Sequence, residues 1–82
     1  MKAEVKDEVA GTAAQVVFDY PGWGSEHVSD MYDACKEGST SMGEKLPYSY
    51  YDLEDACHLA QKAKNQGLDY FGAIDFVKEN LA

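Results

Sequence analysis

Eighty-two residues, 45% of them apolar and including six Tyr, three Phe and one Trp, suffice for one small hydrophobic core and are too rich in aromatics for a disordered tail. Fifteen Asp and Glu stand against seven Lys and no Arg, a net charge of −8, which argues against direct nucleic-acid binding, since a polyanion is held by a basic stripe and arginine forks. No apolar run approaches the roughly 18–20 residues of a membrane span, the N-terminus is too charged for a signal peptide, and two Cys are too few for a disulfide framework, so a soluble, cytoplasmic protein is expected.

Taken in chain order, residues 2–18 read as a helix: Val5, Val9, Thr12, Ala13, Val16 and Val17 recur at spacings of three and four, while Lys2, Glu4, Lys6, Asp7 and Glu8 stay polar. Gly11 weakens that reading by about 1 kcal/mol against alanine. The β-prone run Val16-Val17-Phe18 offers the alternative of an α+β fold with a short β-hairpin near residues 14–20. Pro21-Gly22-Trp23-Gly24 is a turn. Ser25 is then the expected N-cap of a second helix running to about Glu37 and stopped by Gly38. Residues 39–47 read as a loop. Ser49 and Asp52 form a capping-box pattern ahead of a third helix from about Tyr50 to Gln66, stopped by Gly67. Asp69 caps a last helix whose apolar face is Tyr70, Ala73, Ile74, Val77 and Leu81. The expected architecture is all-α, about four short helices in a single acidic domain over residues 1–82.

The negative charge is concentrated. Nine acids and two Lys lie between Asp19 and Asp55, a block of −7, whereas the flanks together carry −1. In the second helix Glu26, Asp30, Asp33 and Glu37 fall at i, i+4, i+7 and i+11, on one face, with Val28, Met31, Tyr32 and Cys35 turned the other way. Like charges at this spacing cost roughly 0.2–0.5 kcal/mol per pair. Asp52, Glu54 and Asp55 add a second cluster where the helix dipole favours it. A single-sign stripe over about 16 Å, with a carboxylate about every 5–6 Å, roughly follows the phosphate repeat of a DNA strand and would attract the basic groove of a nucleic-acid-binding protein. The competing reading is an ordinary solvated face.

The chemical readings are weaker. Cys35, Cys57, His58 and His27 lack the CxxC or HxxxH spacing of a zinc site, and adjacent Cys57 and His58 point about 100° apart on a helix. No EF-hand spacing accompanies the carboxylates, and Gly22-Trp23-Gly24-Ser25 is not a GxSxG elbow. No catalytic residue, metal ligand or cofactor is therefore expected. Trp23, Tyr48, Tyr50 and Tyr51 are either edges of the core or an aromatic surface for a protein partner.

Asp52-Leu53-Glu54-Asp55-Ala56-Cys57-His58-Leu59-Ala60, followed by Asp69-Tyr70-Phe71-Gly72-Ala73-Ile74, resembles a D-L-x-D-A-x-H-x-A stretch and the aromatic pair after it in the Ocr (overcome classical restriction) family of phage antirestriction proteins. The resemblance covers residues 52–77. It implies a dimeric helical DNA mimic that occupies the DNA groove of restriction and related defence enzymes, with Asp52 and Asp55 as acidic surface residues and His58 as a structural one. The stripe from Glu26 to Glu37 lies outside it.

The expected function is that of a small non-enzymatic acidic inhibitor, phage-encoded, which binds a host nucleic-acid-handling enzyme of restriction, CRISPR, other defence or repair as a DNA mimic. Its partner surface would be Glu26, Asp30, Asp33, Glu37, Asp52, Glu54 and Asp55. The alternative is an α-helical adaptor or regulator that holds a protein partner through its aromatic and acidic surface. A homodimer is one way for so small a core to gain apolar burial.

Overall fold

The ends of each helix leave backbone groups that must find partners, and the flanking residues supply them here with uneven success. The computed structural model describes residues 1–41 and 46–81. Its elements are α1 (Ala3–Asp19), α2 (Ser25–Ser41), α3 (Tyr50–Asn65) and α4 (Tyr70–Asn80). The fold is all-α. Among the described residues there is no strand, and the hairpin alternative near residues 14–20 is overturned: Val16 and Val17 lie in α1 and are fully buried. Burying two such side chains outweighs the few tenths of a kcal/mol by which β-branched residues disfavour a helix.

The boundaries of α3 follow local chemistry. The Ser49 hydroxyl accepts from the Asp52 amide at 3.2 Å and the Asp52 carboxylate accepts from the Ser49 amide at 3.0 Å, a closed capping box. At its other end Gly67 has φ +89°. The Gly67 amide donates to Lys64 O and the Leu68 amide to Ala63 O, the paired bonds of a Schellman stop. Asp69 Oδ1 then accepts from the Gly72 amide at 2.7 Å and starts α4.

Two expected boundaries of α2 are corrected. Gly24, not Ser25, occupies the cap position, since its carbonyl accepts from the His27 and Val28 amides. Its own amide donates to His27 Nδ1 at 3.0 Å, so a histidine takes the place that Glu or Gln holds in a capping box. Nor does Gly38 end the helix, which continues to Ser41. A helical glycine costs about 1 kcal/mol, but stopping a helix takes the positive-φ geometry seen at Gly67. The expected loop over 39–47 is therefore helical at Ser39–Ser41. Residues 42–45 of it lie outside the described residues.

The helices approach closely because their contact faces are small. Ala10, Ala13 and Ala14 of α1, Ala56, Ala60 and Ala63 of α3 and Ala73 of α4 are all fully buried. Val9, Val16, Val17, Leu53, Cys57 and Val77 fill the spaces between them. α1, α3 and α4 pack against one another, while α2 lies on α1 and α3 and does not reach α4 among the described residues. Its one fully buried described side chain is Val28. α1 has no basic residue in its last turn, and Lys64 supplies the missing charge from α3: its Nζ donates to Val17 O at 3.3 Å and sits 5.3 Å from the Phe18 ring centroid. Lys78 and Asp7 tie α4 to α1 with a 2.6 Å ion pair, which holds the Lys78 ammonium above its ordinary pKa. No helix among the described residues is long and apolar enough to cross a membrane.

Two glycines give opposite expectations. Gly11 sits inside α1 with nothing within 4 Å of an added Cβ, so Gly11→Ala should raise the unfolding free energy by about 0.5–1 kcal/mol. Gly67 needs positive φ, and Gly67→Ala should lower it by about 1–2 kcal/mol. Urea denaturation of the two variants beside the parent checks both signs.

Candidate partner-binding surface

Once α2 turns Val28 into the core, with Met31, Tyr32 and Cys35 half-buried beside it, the helical period turns Glu26, Asp30, Asp33 and Glu37 to solvent. All four are exposed, so the stripe exists as a physical face. Its members differ in what holds them. Glu26 folds back over the helix N-terminus, its carboxylate lying against Gly24, where the dipole favours a negative charge. Its Oε1 is also 3.8 Å from His27 Nδ1, but that nitrogen already accepts the Gly24 amide, so the contact is no ion pair while the ring is neutral. Asp30, Asp33 and Glu37 have no hydrogen bond or ion pair among the described residues. Glu37 lies in the C-terminal half of α2, away from the N-terminal charge that favours Glu26.

The second cluster is largely engaged in holding the fold. Asp52 is the reciprocal half of the capping box. Glu54 Oε2 accepts from the Tyr50 hydroxyl at 3.2 Å. Of the three, Asp55 alone is exposed. It lines a shallow groove of about 450 Å³ between α3 and the end of α4 with Asp52, His58, Leu59, Lys62 and Leu81, so the groove carries a cation beside its carboxylates.

The four aromatic residues do not form one surface. Tyr48 is 4% exposed and belongs to the core, which corrects its expected place on an interface. Its hydroxyl is buried without a hydrogen-bond partner among the described residues, and that burial pushes its pKa well above the ordinary tyrosine value. Trp23 is half-buried against His58, ring centroids 5.3 Å apart, and its Nε1 donates to Gln61 Oε1 at 2.9 Å. Tyr50 is half-buried edge-on to Tyr32. Its hydroxyl lies 3.4 Å from Ser25 O as well as near Glu54, and burial followed by the Glu54 carboxylate raises its pKa. Trp23 and Tyr50 thus bolt the N-terminal end of α2 to α3. Only Tyr51, 72% exposed, is free to meet a partner.

One arrangement is not legible in the sequence. Tyr20, just after α1, stacks on His27 with centroids 5.1 Å apart and planes 30° apart. The pair borders a hollow beside Asp30. The spacing of acids along α2 gave no hint of it, because Tyr20 reaches the stripe only after the Pro21–Gly24 turn folds back.

Among the described residues the cysteines are not brought together with other metal-ligating side chains. Cys57 is fully buried and Cys35 half-buried, and no cluster of three His, Cys, Asp or Glu side chains suited to a metal exists among the described residues. No protein-family model matches the chain, and no curated protein or solved structure matches it significantly. The resemblance over residues 52–77 rests on their sequence alone.

Burial lifts the Cys57 thiol from 9.0 to about 12. Native protein at mildly alkaline pH should therefore show one thiol, Cys35, reacting with iodoacetamide, and a second only after denaturation, as counted by mass spectrometry. The sign of the linkage is fixed: between pH 9 and about 12 the unfolded Cys57 ionises while the folded one does not, so its contribution to stability declines as pH rises through that window. EDTA should leave the melting temperature unchanged in a thermal scan.

Proposed function

We propose that this protein is a non-enzymatic acidic inhibitor whose α2 face docks on the nucleic-acid-binding surface of a protein partner, its carboxylates standing in for backbone phosphates. One observation carries the reading. Asp30, Asp33 and Glu37 are exposed in line on one helix face and have no local structural role among the described residues, although their mutual repulsion costs the helix a few tenths of a kcal/mol per pair. A basic groove built to hold phosphates supplies the charges that this face lacks. The partner class is a DNA- or RNA-handling enzyme of restriction, CRISPR, other defence or repair, and the Ocr-like stretch at residues 52–77 is in keeping with it. The adaptor alternative loses most of its footing, because Tyr48 is buried and Trp23 and Tyr50 are engaged within the fold.

Replacing Glu26, Asp30, Asp33 and Glu37 by Gln and Asn preserves shape and removes four charges. Stability should stay about level, because the repulsion relieved, a few tenths of a kcal/mol per pair, offsets the helix N-terminal interaction that Glu26 loses. Bacterial-lysate proteins captured by the parent should be displaced by duplex DNA and by rising salt, and the neutralised variant should fail to capture them. Changing Glu4, Glu8 and Glu79 in the same way should have little effect. Equal capture by the stripe variant would overturn the proposal, and loss of capture on Tyr51→Ala alone would favour the adaptor.

A further inference from the structure

The hollow beside Asp30 has a definite chemistry. It measures about 210 Å³ and is lined by Tyr20, His27, Asp30, Met31 and Ala34. That is below the roughly 300–1,000 Å³ of small-molecule sites, so it suits one side chain rather than a cofactor. Its wall is the stacked Tyr20–His27 pair. The His27 ring is fixed in orientation by the Gly24 amide, which donates to Nδ1. Tyr20 is 45% exposed, so the wall is open to solvent. Met31 and Ala34 contribute apolar surface, and Asp30 contributes an exposed carboxylate without a partner among the described residues.

We infer that this hollow takes a single arginine side chain from the partner, an assignment that rests on the docking of the α2 face proposed above. A planar guanidinium combines what the three parts of the site offer. It stacks on an aromatic face, is weakly hydrated enough to lie against apolar groups, and donates a fork of hydrogen bonds to a carboxylate. Lysine meets only the last of these, as a compact and strongly hydrated charge. An anion is repelled by Asp30 and by a chain of net charge −8. The wider groove at Asp55 does not compete, because Lys62 shares its lining with the carboxylates and no stacked ring pair lines it. A stripe of carboxylates by itself attracts Lys and Arg alike and fixes no register. An aromatic-walled seat at the second of its four acids fixes which cation docks and where, as arginine does when it anchors a protein on nucleic acid.

The test uses the full chain and two small probes, N-acetyl-arginine methylamide and N-acetyl-lysine methylamide, titrated at low salt and about pH 8, above the ordinary imidazole range. The arginine probe should give saturable NMR shifts at the ring protons of Tyr20 and His27 and at the Met31 methyl. The lysine probe should bind several-fold more weakly. Asp30→Asn and Tyr20→Leu should each abolish the saturable shifts, while Tyr20→Phe, which keeps the ring, should retain them. The double variant Asp33→Asn, Glu37→Gln should also retain them, which separates this seat from general attraction to the stripe. Equal binding of both probes, or shifts that survive Asp30→Asn and Tyr20→Leu, would overturn the assignment. If the arginine probe binds as expected while the neutralised stripe still captures lysate proteins, the arginine seat stands and the mimic proposal falls.

Discussion

Close approach of alanine-lined helix faces is the constraint on which the rest of this molecule depends. With Ala10, Ala13 and Ala14 of α1 and Ala56, Ala60 and Ala63 of α3 all fully buried, the core between these helices is built from small side chains, and the biggest fully buried residue is Leu53. The aromatic residues are therefore displaced to the periphery, all but Tyr48. There they act as bolts. Trp23 and Tyr50 hold the start of α2 to α3, Phe18 meets Tyr70 at an edge-on 5.9 Å, and Lys64 closes the end of α1. α2 lies outside this three-helix packing, and its outward face is free of any duty to the core.

How much of this was legible in the sequence depends on whether local chemistry or packing decides the point. Ser49 with Asp52, Gly67 and Asp69 act within a few residues of themselves, and a reader of the sequence finds them because the partner atoms are backbone amides always present at a helix end. Gly38 deceived for the opposite reason. Its flexibility permits a stop but does not impose one, and α2 continues past it to Ser41. Val16-Val17-Phe18 is ambiguous in sequence because strand and helix would both bury its valines, and only the tertiary packing around them decides. The acidic stripe was legible, since the helical period alone places its four members. The Tyr20–His27 wall was not, because it depends on how the Pro21–Gly24 turn returns the chain, which no period encodes.

Once their local duties are assigned, the acids sort into two kinds. Asp52 closes a capping box, Glu54 holds Tyr50, Glu26 complements a helix N-terminus and Asp7 pairs with Lys78. Each would be present in a protein that bound nothing. Asp30, Asp33 and Glu37 are different. They sit in line, exposed, and no hydrogen bond or ion pair among the described residues holds them. A solvated acidic face needs charge for solubility but not alignment, and interspersed lysines would give solubility without repulsion. On the proposed reading, alignment at that cost is accounted for by a basic partner.

That cost also sets how a partner would act back on the protein. α2 is attached through Val28, its half-buried neighbours and a few hydrogen bonds at its start, and it does not touch α4 among the described residues. Its free state carries the repulsion of its own carboxylates, whereas a cationic surface seated on the stripe removes it. On the proposed reading, a partner that binds the packed helix and not a detached one stabilises the packed form in proportion to the logarithm of its concentration over its dissociation constant. Because α1, α3 and α4 hold one another independently of the stripe, that stabilisation falls on α2. Recognition and the ordering of the recognising helix are then one equilibrium, in the element whose outer face the core leaves free.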